Sequence, residues 1–204
     1  LTSEKRQWKA EVKALKAFIY FELVRRYGPI VLVPDNIGVD EDMSKMQQPR
    51  VHVDTCFNTI VRLLDEAVPF LPTTTTRTSD RAPYFCQESA LALKARVLVY
   101  AASPLFNGNE YYSDFKGKNG EPLFSTQKDP EKWKRAAEAA DEAIRVSEQV
   151  GHHLYDGTNS KESDLLNRMG DIEFSMYSTF SNPEFLLEWK YTSEGFYKFC
   201  LPRF

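Results

Sequence analysis

The residues best equipped for chemistry lie together after the third predicted helix: Asn109, Tyr111, Tyr112, Asp114 and Phe115, in a segment from Asn107 to Lys128 rich in Gly, Asn and charge. A sugar ring presents flat faces of C–H bonds. An exposed aromatic ring flanked by amide or carboxylate groups, which bond hydroxyls at its edge, is the complementary surface. Tyr84 and Phe85, just ahead of the third predicted helix, form a smaller version of the same combination. Asn109, Tyr111, Tyr112, Phe115 and Tyr84 are therefore the candidate ligand-binding residues. Packing competes for the same rings and is the favoured reading, because a loop this long needs anchors on its neighbours. For Tyr84 and Phe85 the equivalent is a hydrophobic staple at a helix entry.

Other chemistries find less support. Glu184 and Glu188 share one face of a predicted strand, whereas a glycosidase needs two carboxylates across a cleft. No GxSxG, phosphate-cradling Gly loop or HExxH occurs. His52, His152 and His153 lack a partner at metal-ligand spacing, so no zinc site is expected. Asp35, Asp40, Glu41 and Asp42 lie in an acidic connector without the ordered ligand spacing of a calcium loop, and read as a solvated segment. Cofactors are expected to be absent. Lys and Arg number 26 against 29 Asp and Glu, a net charge of −3 with no basic stripe, which argues against nucleic acid. Cys56, Cys86 and Cys200 are odd in number and far apart, suggesting neither a disulfide framework nor a zinc knuckle. The longest apolar runs fall far short of the roughly 18 residues that span a bilayer.

Four helices must position these groups. The first is predicted from Ser3, its cap, to Tyr27, where Gly28-Pro29 stops it. Trp8, Val12, Leu15, Ile19 and Leu23 form one apolar face, and Ala10, Ala14, Ala17, Phe21 and Val24 a second, so cover on two sides is expected. The second helix begins near Asp54 as cap, buries Phe57, Ile60, Val61, Leu64 and Ala67, and ends before Pro69. The third runs from about Glu88 to Ala102 on a Leu91, Ala95, Leu98 and Ala102 stripe, and Pro104 ends it. The fourth opens at Asp129-Pro130-Glu131, carries a predicted core stripe of Trp133, Ala137, Ala140 and Ile144, and stops at Gly151. Trp8, Trp133 and Trp189 are all expected to pack in the core. Residues 183–191 alternate apolar and charged, predicting a strand with one buried face. Thr73 to Ser79 reads as a solvated loop.

Two helix pairs, each with a small-residue face and an aromatic anchor, match the construction of tetratricopeptide repeats stretched by long connectors. The fold class is thus mainly α, antiparallel helix pairs with a short β element near the C-terminus. The chain starts at Leu1 with a helix-start pattern and is expected to be a segment of a longer protein.

Residues 10–29, from Ala10 through Phe18, Tyr20, Phe21 and Leu23 to Tyr27-Gly28-Pro29, resemble the "E-x-x-x-L-R-A-x-x-Y-F-x-L … Y-G-x-x-P-L" segment of the SusD/RagB lipoproteins of Bacteroidetes. Tyr100-Ala101-Ala102-Ser103-Pro104-Leu105-Phe106-Asn107-Gly108 is similar to that family's "Y-A-A-S-P-L-F-N-G" block. Trp133 with Ala136, Ala137 and Ala140 resembles its following helix, and Asn182-Pro183-Glu184-Phe185-Leu186-Leu187-Glu188 its "N-P-E-I-I-F-E" strand. Four blocks in order cover most of the chain. Lys16 replaces the usual Arg, and the Pro-Leu after Gly28 is displaced, changes confined to local packing.

The resemblance implies that residues 1–204 are a single SusD-like helical-repeat domain fragment, lacking the family's N-terminal lipoprotein segment and C-terminal part. It further implies a non-catalytic oligosaccharide-binding protein on the outer membrane, facing outward. It would work in glycan uptake with a SusC-like TonB-dependent transporter, its lipid anchor lying outside these residues. The family's best-known ligand-stacking aromatics also lie outside the matched blocks, so none is transferred to a numbered position. The alternative, on residue pattern alone, is a helical-repeat adaptor that binds a protein partner, and a hydrolase ranks last.

Overall fold

Helix α1 spans Ser3–Tyr27, beginning where the Thr2 side chain accepts the Lys5 amide at 3.4 Å and ending at Gly28, whose φ of 69° turns the chain out of the helix. The computed structural model describes residues 2–33, 47–76, 84–154, 184, 186 and 187. Among these lie three further α-helices: α2 (Val53–Ala67), α3 (Gln87–Ala102) and α4 (Glu131–Gln149), with 3-10 turns at Val68–Phe70 and Glu110–Tyr112. Helix α1 packs chiefly on α2 and α3 on α4, while α2 against α3 joins the two pairs. That is the expected mainly α architecture of paired helices. Of the strand expected over 183–191, only Glu184, Leu186 and Leu187 are described, and the rest lies outside the described residues. Trp189 and the acidic connector with Asp35, Asp40, Glu41 and Asp42 also lie outside them.

The helix seams are built from small side chains. Ala10, Ala14 and Ala17 of α1 are buried, as are Ala136, Ala139 and Ala143 of α4. Short side chains let two backbones approach closely, and larger residues then fill the flanks of each crossing. Phe21 of α1 meets Tyr100 of α3 edge-on at 5.2 Å, and Ile60 and Leu64 of α2 are completely enclosed. Charged clamps tie the helices outside this core. Lys13 reaches Glu66 at 2.6 Å, Lys94 reaches Asp65 at 2.8 Å and Glu142 at 3.3 Å, and Lys132 reaches Asp54 at 2.6 Å.

Several expectations are corrected. The larger face of α1 is not covered by the described residues: Trp8 is 43% and Val12 65% exposed, with Leu15, Ile19 and Leu23 also at the surface. In α4 the buried stripe is shifted by one position from the predicted one. Trp133 is 45% and Ile144 56% exposed, Ala137 is exposed and Ala140 half-buried. The physical reason is shared: the close crossings select alanine, so bulky residues one position away are directed outward. Trp8 and Trp133 are therefore surface residues of these helices. The cap of α2 is His52, whose Nδ1 accepts the Asp54 amide at 3.1 Å, while Asp54 itself pairs with Lys132. The Thr73–Thr76 turn is only partly solvated. The Thr74 amide and hydroxyl donate to the fully buried Glu88 carboxylate at 3.1 and 3.2 Å, and Thr74 Oγ1 lies 2.9 Å from His152 Nε2.

Candidate functional site

The site grows from the corner after α3. Ser103-Pro104 ends the helix, the Ser103 hydroxyl donating to the Tyr100 carbonyl at 2.7 Å, and the chain turns through Phe106 and Asn107. Buried Asn107 fastens both ends of the long loop. Its Oδ1 accepts the Asp129 amide at 2.8 Å, and its Nδ2 donates to the carbonyls of Asp129 at 2.8 Å and Ala102 at 3.4 Å. Gly108 follows with φ 76°, and a Cβ there would stand 2.7 Å from the Lys128 backbone nitrogen. Only glycine allows the two ends to lie this close. At the other end of the loop the Asp129 side chain accepts the Glu131 amide at 3.0 Å, while the N-cap position of α4, expected at Asp129, is Pro130.

Between these ends the loop folds on an aromatic stack. Phe106 meets Phe57 of α2 edge-on at 5.1 Å and lies parallel to Phe124 at 6.3 Å. Tyr112 stacks on Phe124 at 4.4 Å, and Phe115 tilts against it at 5.9 Å. The Gly117 amide donates to the Glu121 carbonyl at 2.8 Å and the Leu123 amide to the Phe115 carbonyl at 3.1 Å, closing a small hairpin. Packing thus engages one side of Tyr112 and Phe115, as favoured from the sequence, while both remain more than a third exposed.

Their outer sides face the end of α1. Arg25, Arg26, Tyr27, Leu105, Tyr112 and Phe115 line a cleft of about 190 Å³ with Gly28, Pro29, Phe106 and Phe124. Both arginines bond the single Glu22 carboxylate, Arg25 through Nη2 at 2.7 Å and Arg26 through Nη1. Hydrogen bonding to Tyr100, and then the charge of Glu22, hold the Arg25 guanidinium above its ordinary pKa against the opposing effect of burial. The Arg50 guanidinium sits 6.0 Å from the centre of the Phe115 ring, a cation–π arrangement.

The five sequence candidates therefore separate. Tyr112 and Phe115 line the cleft. Tyr111 is 98% exposed beside it in the chain. Asn109 is occupied with shaping the turn, its Oδ1 accepting the Tyr111 amide and its Nδ2 donating to the Leu105 carbonyl, both at 3.1 Å. Tyr84 is half exposed and does not line the cleft, while its neighbour Phe85 is buried against Phe18. Sequence reasoning missed Arg25, Arg26, Tyr27 and Leu105. The available signal was a basic, aromatic last helical turn directly before Gly28, next to a proline-led corner.

Among the described residues, no group of three or more His, Cys, Asp or Glu is placed to hold a metal ion. No described helix is long and apolar enough to cross a membrane. Burial pushes the Cys86 and Cys56 thiols above their ordinary pKa, which disfavours the thiolate nucleophile.

Comparison with protein-family models and with curated proteins finds no match. Solved structures do match. BT4246 aligns with a TM-score of 0.69 and 38% identity, over 76% of this chain and 26% of that one. A SusD-like protein from Bacteroides fragilis NCTC 9343 aligns with a TM-score of 0.65 and 21% identity, over 95% of this chain and 29% of that one. A further structure, described as with xylogluco-oligosaccharide, aligns with a TM-score of 0.50 and 19% identity, over 70% of this chain and 24% of that one. The chain spans about a quarter of the length of these solved relatives.

Paired helices crossing on alanine seams, with an aromatic loop closed by the Ser-Pro-Leu-Phe-Asn-Gly corner, define a SusD-like helical fold. With the sequence likeness to BT4246 added, the chain has the helical fold of the SusD-like structures it matches.

Proposed function

We propose that the protein is a non-catalytic, cell-surface oligosaccharide-binding lipoprotein that acts in glycan uptake with a SusC-like TonB-dependent transporter. The observation that carries this reading is the cleft between α1 and the 105–124 loop: exposed Tyr27, Tyr112 and Phe115 rings beside guanidinium donors, in a chain of SusD-like fold. Rings that offer a face to a sugar and donors that reach its hydroxyls are the two parts such a ligand requires. The oligosaccharide in one structural relative supports the same ligand class. Among the described residues that line the cleft there is no Asp or Glu, which favours binding over hydrolysis by a carboxylate pair.

Two measurements test the proposal. In affinity electrophoresis, the protein is expected to be retarded by at least one neutral or acidic polysaccharide in the gel, and uniform mobility across a broad panel contradicts ligand binding. For the partner and compartment, the full-length protein is expected to carry a signal peptide ending at a lipidated Cys and to co-purify with a TonB-dependent transporter. A full-length protein without either overturns the transport role.

A further inference from the structure

We infer that the cleft at the end of α1 is a subsite for an acidic sugar, a uronate whose carboxylate is held by Arg26 while its ring lies among Tyr27, Tyr112 and Phe115. This rests on the saccharide-binding reading above and narrows its ligand class. The charge count is the first support. Arg25 and Arg26 share the single carboxylate of Glu22, and the Arg50 guanidinium lies over the Phe115 ring, so the described lining carries two guanidiniums and no carboxylate, with a third guanidinium beside it.

The second support is geometric. Among the described residues, Arg26 bonds only through Nη1, to the Glu22 carboxylate and main-chain carbonyl, leaving Nε and Nη2 with donors to spare. Arg26 is also the more exposed of the pair, with 56% of its side chain in solvent against 29% for Arg25. A planar guanidinium edge with unused donors matches a carboxylate, taking two parallel hydrogen bonds that a hydroxyl cannot provide. The third support is size. At about 190 Å³ the cleft is smaller than the roughly 300 to 1,000 Å³ of sites for drug-sized ligands, so it suits one ring of a longer chain. Tyr27 is 63% exposed, so its ring is open to that sugar.

The test is calorimetric titration of the protein with trigalacturonate, with its fully methyl-esterified form as the neutral control. The acid is expected to bind at least tenfold more tightly than the ester at low salt, and R26Q to remove that difference by weakening the acid far more than the ester. Arg26→Lys, which keeps the charge without the fork, is expected to fall between the two. Tyr27→Ala is expected to weaken acid and ester alike. Equal binding of acid and ester, or an R26Q protein that keeps the preference, overturns the inference and leaves saccharide binding standing. Binding of neutral xylogluco-oligosaccharide with no binding of trigalacturonate does the same. Failure of every saccharide to bind overturns both.

Discussion

Asn107 joins two parts of the chain 22 residues apart with three hydrogen bonds, and its amide is buried with both its oxygen and its nitrogen engaged. Removing that side chain strands the Asp129 amide and two carbonyls, so Asn107→Ala is expected to destabilise the protein by about 1–3 kcal/mol in urea unfolding. An unchanged midpoint would show that the loop ends are held by something else. The role of Asn107 was only partly legible in the sequence. The Ser-Pro-Leu-Phe-Asn-Gly run announces a corner, but its partner at Asp129 depends on how the intervening loop folds back. Arg25 and Arg26 were hidden for a similar reason: on a helix they read as a basic last turn, and their meeting with Tyr112 and Phe115 is tertiary. Cys56 and Cys86, both buried, are expected to resist iodoacetamide at neutral pH until denaturant is added, as peptide mass spectrometry would show. Rapid labelling of either in the folded protein would mean that its surroundings open readily.

Helix boundaries were readable to within a residue or two, since Gly28, Pro69, Pro104 and Gly151 punctuate the chain where the helices stop. The buried faces were harder. Hydrophobic periodicity finds Trp8, Val12, Leu15, Ile19 and Leu23, yet the closest helix contacts use Ala10, Ala14 and Ala17, because proximity between backbones rewards small volume. A pair of variants separates the faces. Ala17→Leu overfills a fully buried seam and is expected to cost about 1–3 kcal/mol. Ile19→Lys, on the exposed side, is expected to stay within about 0.5 kcal/mol. The reverse order in thermal unfolding would place the wrong face against α2. The charged clamps between helices add a pH dependence. Hydrogen bonds from Lys13 and then Arg62 hold the Glu66 carboxyl below its ordinary pKa. Its contribution is therefore present above the unfolded value of about 4.3 and is lost as pH falls through the lower folded value. Glu66→Gln is expected to flatten that acid limb. Lys94 is the opposite case. Burial works against its charge, but Asp65 and Glu142 outweigh it and raise its pKa, so its contribution fades only as pH climbs past about 10.4 and through the folded value.

For the molecule as a whole, two helix pairs form the scaffold and one loop, fastened at both ends, carries the rings that complete a cleft with the first helix. The outer faces of α1 and α4 retain large side chains at the surface, in a chain that spans about a quarter of its solved relatives. The fold could be read from the blocks at residues 10–29, 100–108 and 133–140, because each encodes a local corner or seam. The cleft could not, since it forms only where α1 ends against the distant loop. The most direct test of this assignment is amide hydrogen exchange, measured by mass spectrometry with and without a saccharide that retards the protein in electrophoresis. Slower exchange concentrated at residues 25–29 and 105–124, with the α2 and α3 cores unchanged, is the predicted result. Protection confined to other surfaces, or no change at these two segments at saturating ligand, would contradict it.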